Sequence, residues 1–100
     1  MAGAIVSYDD FAAHVGTAFL LTDGDQPPVP LGLTAATPLR PHAEASAMRA
    51  PFELLFLAAE QRVLPQSLYH LHHDAMGDLE IFLVPTARDD TGVTYSATFN

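Results

Sequence analysis

Apolar and polar residues alternate with a period of two over most of this chain, and with a helical period only near its start. The helical stretch covers about residues 8–14. Ser7 is an N-cap residue whose hydroxyl can accept from a free backbone N–H of the first turn. Asp9 and Asp10 follow at the positive end of the helix dipole. Val6 and Phe11 occupy the positions of a hydrophobic staple, and Gly16 suits the C-terminal end. Phe11 and Val15, four apart, share a face. So short a helix is unstable alone and has to pack on something.

Beyond Gly16 the pattern predicts six strands, at residues 17–22, 29–37, 52–58, 68–73, 79–84 and 93–99. Asp23-Gly24-Asp25 closes the first, and Gln26-Pro27-Pro28 reads as a loop because proline cannot donate to a ladder. Residues 38–51 read as a loop, with a helical turn around Glu44 to Arg49. Met76-Gly77-Asp78 and Asp89-Asp90-Thr91-Gly92 are turn clusters, and Pro85 weakens or ends the fifth strand. The last strand alternates most cleanly: Val93, Tyr95, Ala97 and Phe99 on one face, Thr94, Ser96 and Thr98 on the other. Six short strands joined by tight turns predict an all-β fold. It is a small six-stranded antiparallel barrel or sandwich, with the short N-terminal helix covering one open end.

At 100 residues the chain makes a single domain, residues 1–100. Twelve acidic residues against four arginines and no lysine give a net charge of −8, which argues against nucleic acid and anionic lipid as partners. No cysteine is present, which excludes disulfides, thiolate metal sites and a thiol nucleophile. The apolar start runs into Tyr8-Asp9-Asp10 without a basic region, so it does not read as a signal peptide, and no apolar run reaches the ~20 residues of a membrane helix. Synthesis in the cytoplasm is the expectation; the final compartment is not encoded. Apolar residues make up 49% of the chain and charged ones 16%, so a domain this small has apolar surface left over for a partner or a second copy.

Several phrases together resemble a known family. They are Phe11-x-x-x-Val15-Gly16-x-x-Phe19, Pro51-Phe52-x-Leu-x-Phe56, Tyr69-x-Leu71-x-His73, Met76-Gly77, Ile81-Phe82-Leu83-Val84-Pro85 and the ending Tyr95-x-Ala97-x-Phe99-Asn100. Their order and spacing resemble a bacterial family of small domains of unknown function, over nearly the whole chain. His14 departs from the aliphatic residue expected there. The resemblance implies no activity. An association of such relatives with phage-tail-collar-like neighbours implies a structural or assembly role, such as a subunit or accessory of a phage-tail-like or filamentous assembly. The matched residues read as packing: Phe52, Leu54, Phe56, Tyr69, Leu71, Phe82, Val84, Tyr95, Ala97 and Phe99 inside, closed by Phe11, Val15 and Phe19.

Candidate chemistry is sparse. His70 and His72, two apart on a strand, point to one face and could chelate zinc, nickel or copper, with Asp74, His14 or His42 as further donors. The plainer reading makes both polar residues on a solvated face. His73 has the parity of Tyr69 and Leu71 and reads as a buried, hydrogen-bonded histidine. The paired aspartates sit at turns or the helix start, and no nucleophile elbow or phosphate-cradling glycine loop is present. These observations predict a protein that is not an enzyme and needs no cofactor.

The more informative signal is strands that are apolar on both faces. Leu55 and Leu57 oppose Phe52, Leu54 and Phe56; Leu79, Ile81 and Leu83 oppose Phe82 and Val84; Ala18 and Leu20 oppose Phe19 and Leu21. Such faces are covered by the chain's own loop or helix, form a subunit interface, or line an apolar ligand cavity. The preferred expectation is an assembly protein that contacts itself or a protein partner through Leu55, Leu57, Ile81 and Leu83. A small ligand- or metal-binding barrel using His70 and His72 is the alternative. Ala4-Ile5-Val6 is a candidate to extend a sheet edge.

Overall fold

The computed structural model describes residues 7–39 and 51–99. The expected staple residue Val6, the segment Ala4-Ile5-Val6, His42, the turn around Glu44 to Arg49, and Asn100 lie outside the described residues. Helix α1 spans Tyr8–Ala12. Six strands follow: β1 (Ala18–Asp23), β2 (Gln26–Pro38), β3 (Phe52–Ala58), β4 (Ser67–His73), β5 (Gly77–Asp89) and β6 (Gly92–Phe99). All paired neighbours are antiparallel, and the sheet closes on itself in the order β1-β2-β3-β6-β5-β4. Of the two expected architectures it is the barrel, which removes the free edges a sandwich keeps.

The local chemistry explains the turns. Gly24 takes φ +60° at the first central position of the β1–β2 hairpin, the sign a II′ turn needs. Gln26-Pro27-Pro28, expected as a loop, instead opens β2. Among the described residues, 26–30 reach past the end of β3, whose pairing with β2 begins at Leu31, and their ladder with β1 is irregular between Leu21 and Asp23, the edge and bulge positions where proline is tolerated. β5 likewise runs on past Pro85 to Asp89, with an irregularity between Pro85 and Ala87 that leaves Thr86 outside the ladder.

The interior is filled by Phe19, Leu21, Leu31, Leu33, Leu54, Phe56, Leu71, Leu83, Val93 and Tyr95, each almost fully inaccessible. A six-stranded barrel is narrower than the eight-stranded ones whose interiors are just filled by side chains, so this core leaves a solid centre. Both ends are plugged. At one end α1 inserts Phe11, whose ring lies 6.3 Å from Phe19, 5.9 Å from Phe52 and 5.5 Å from Phe99. The helix itself is tied at its start, where the Ser7 amide donates to the Asp10 carboxylate over 2.8 Å. At the other end the β3–β4 connection buries Leu64, and its amide donates to the Tyr95 hydroxyl over 2.9 Å.

Three expected core positions are corrected. Val15 is exposed, because α1 gives way to a turn after Ala12. Phe82 and Val84 lie on the outer face, and Ile81 and Leu83, expected outside, are in the core at 3% and 0% exposure. The cause is the pairing of β5 with β4. Ile81 sits opposite Tyr69 and Leu79 opposite Leu71, and residues opposite one another in an antiparallel pair share a face. Since Tyr69 and Leu71 point inward, so must Leu79, Ile81 and Leu83.

Candidate functional site

Two histidine environments and one apolar patch stand out, and β4 contributes to all three.

His70 and His72 point outward from β4, as their spacing predicts, with side chains about half exposed. They meet Asp78, which lies directly opposite His72 on β5, and not Asp74 or His14. His70 Nε2 is 3.1 Å and His72 Nδ1 2.9 Å from the same carboxylate oxygen. Those hydrogen bonds, His72 first and His70 second, hold the Asp78 carboxyl below its usual pKa. The pair thus clamps a carboxylate across the sheet. Among the described residues no group of three or more histidine and acidic side chains is arranged to hold a metal ion.

His73 points the other way, into the barrel end beneath α1, as its parity predicts. Its Nδ1 accepts from the backbone amides of Ala75 and Met76, over 3.0 and 3.2 Å. Its Nε2 lies 2.9 Å from the Thr17 hydroxyl, which donates in turn to the His14 carbonyl over 2.6 Å. An Nδ1 that accepts two N–H groups carries no proton, and a hydroxyl already donating to a carbonyl must accept from Nε2. One tautomer therefore satisfies the whole set: neutral imidazole with its proton on Nε2. The ring packs 4.3 Å from that of Phe19 and 4.6 Å from that of His14. Burial first, and the neighbouring His14 second, push its pKa below the usual histidine value. Among the described residues every buried side-chain nitrogen and oxygen has a partner, which leaves no orphaned polar atom aimed at a missing ligand.

The third feature is apolar. Leu68 on β4 and Phe82 on β5 are directly opposite one another on the outer face, 57% and 50% exposed. Val84 follows Phe82 along β5 and is half-buried. It stands opposite Ser96, which stands opposite Leu55, which stands opposite Ala35. Leu57 continues the same face of β3 and is, like Leu55, half-buried. Of the four expected interface residues, Leu55 and Leu57 thus lie on the outer face and Ile81 and Leu83 do not. Leu68 and Phe82 were not among the expected contacts. A signal for them existed: Asp78 and Glu80 precede Phe82 at its own parity, which marks that set as the outward one.

The fold and its surface define a small closed β barrel with a solid core and a helical plug, whose outer wall carries an apolar belt and a histidine-clamped carboxylate. The chain belongs to the family described as Domain of unknown function (DUF6916), whose model matches residues 6–99. No curated protein and no solved structure matches it.

Proposed function

We propose that this barrel is a non-enzymatic assembly module that associates with further copies of itself through the outer face of β4, β5 and β3. The observation that carries this reading is the Leu68–Phe82 pair, two large apolar side chains facing each other across strands and half open to water. Val84 extends the same wall along β5, and Leu55 and Leu57 lie one strand further, across Ser96 and Thr94 of β6. The plugged interior favours an external contact over an internal ligand.

The energetics set the scale. Fully burying a leucine- or phenylalanine-sized side chain contributes about 1.5–3 kcal/mol, so covering the exposed half of Leu68 or Phe82 contributes about 1 kcal/mol. Two such residues from each copy give about 4 kcal/mol, near the lower bound of the ~4–15 kcal/mol lost in association entropy. Two barrels meeting only there would bind weakly. A stable assembly needs the leucines of β3 or repeated contacts along an array. Light scattering after size exclusion tests the reading: the wild type runs as a multimer at high concentration and Phe82→Glu shifts it to monomer without unfolding it. A wild type that stays monomeric throughout, or a Phe82→Glu variant that assembles like the wild type, rejects it.

A further inference from the structure

We propose that the His73 cluster is an acid-sensitive latch that holds α1 and its Phe11 plug over the barrel end, and that one proton on His73 opens it while the barrel wall stays closed.

The geometry gives His73 a single workable state. Nδ1 faces two backbone amides of the β4–β5 turn, those of Ala75 and Met76. A proton there points an N–H at two other N–H groups, and both hydrogen bonds are lost at once. The ring cannot pivot freely to rescue them, because Nε2 is held by Thr17 and the ring packs against those of Phe19 and His14. Thr17 is the last residue before β1, and its hydroxyl and amide both bond the His14 carbonyl where α1 unwinds. Expelling the charged ring therefore loosens the junction that carries Phe11, which stays tied to β2 by the Gly16 amide on the Leu33 carbonyl (2.8 Å) and the Leu33 amide on the Thr17 carbonyl (2.9 Å), the bonds that break as the plug lifts. Among the described groups, His14 from the α1 end and His72 on the same strand oppose the added charge, and Asp74 in the turn favours it; Phe19 from β1 contributes only an apolar wall.

The barrel wall does not depend on this contact. β3 and β6 are paired with each other from Phe52 and Phe99 to Ala58 and Val93, and only their Phe52 and Phe99 ends meet Phe11; the Leu64 and Tyr95 contact is at the other end. Between the ordinary histidine pKa of about 6.5 and the lower pKa of the closed form, the ratio of open to closed rises by up to about tenfold per pH unit, because the open form binds the proton first. Opening uncovers an aromatic surface of Phe11, Phe19 and Phe52, which the neutral form hides.

The test is a pH titration of the full chain followed by backbone amide and imidazole NMR. The expected result is that the His73 ring starts as the Nε2–H tautomer. Its protonation then shares one midpoint, at or below about pH 6.5, with shifts of the Gly16, Ala75 and Met76 amides, while the β3 and β6 amides away from Phe52 and Phe99 hold. His73→Gln, which keeps an acceptor and a donor but does not titrate, removes this transition. If that variant does not fold, Thr17→Val serves instead, and its weakened latch moves the midpoint upward. The proposal is overturned if His73 titrates with Ala75 and Met76 unmoved, if β3 and β6 unfold at the same midpoint, or if the transition survives in His73→Gln or is unmoved in Thr17→Val.

Discussion

At the residue scale, single contacts decide more than composition. Gly92 begins β6 with φ +135°, and a Cβ built there would land on the carbonyl oxygen of Ala58. The close approach and the backbone conformation both demand glycine. Gly92→Ala is expected to cost at least about 1–3 kcal/mol, read as a lower urea midpoint with an unchanged slope. His73 makes a second residue-scale prediction, about global stability. Its folded pKa lies below its unfolded one, so the unfolded chain binds the extra proton first. The stabilisation is complete above about pH 6.5 and is lost as pH falls from there toward the depressed folded value. Urea midpoints measured across that window should fall with pH, and by less in His73→Gln. The inward placement of His73 was legible, since Tyr69 and Leu71 set its parity. Its two amide partners were not, because they depend on how the Asp74-Ala75-Met76 turn folds back over the ring.

At the scale of elements, strand identity was easier to read than strand orientation. All six strands and the helix occur in the expected order, but α1 stops at Ala12, β2 starts early at Gln26 and β5 runs on to Asp89; β3 matches residue for residue, because Phe52, Leu54, Phe56 and Ala58 are uniformly buried. The orientation of β5 was ambiguous because Phe82 and Val84 are as apolar as Ile81 and Leu83; only pairing with β4 resolves it. β2 has a related difficulty. Its ladder with β3 skips Thr34, so Leu33 faces in, Ala35 faces out and Ala36 turns back toward the core. Strict alternation from Leu31 and Leu33 would have sent Ala35 inward; a one-residue bulge reverses parity and leaves no mark in the hydropathy pattern. The orientation of β5 has a direct test. Ile81→Glu places a carboxylate in a dry core and should abolish folding, since an unpaired buried charge costs several kcal/mol. Phe82→Glu, one residue on, should keep the wild-type circular dichroism spectrum and shift stability by less than about 1 kcal/mol.

At the scale of the whole molecule, the barrel's interior is packed and both ends are closed, so the proposed self-association falls to its outer wall. The wall is apolar along one belt and the molecule is acidic overall, with a net charge of −8. These features oppose each other in an assembly. Apolar burial draws copies together, while like charge keeps them apart over the roughly 8–10 Å that physiological salt allows. Association through the Leu68–Phe82 belt should therefore strengthen as salt rises, the reverse of a contact built on ion pairs. The belt itself was only half legible: Leu55 and Leu57 follow from the pattern of β3, and Leu68 and Phe82 emerge only once β4 and β5 are laid side by side. Sedimentation equilibrium of the wild type from micromolar to sub-millimolar concentration, at low and high salt, decides whether the barrels associate. A self-associating barrel gives a mass that rises with concentration, rises further with salt, and collapses to the monomer in Phe82→Glu. A monomer mass at every concentration and salt would contradict self-association.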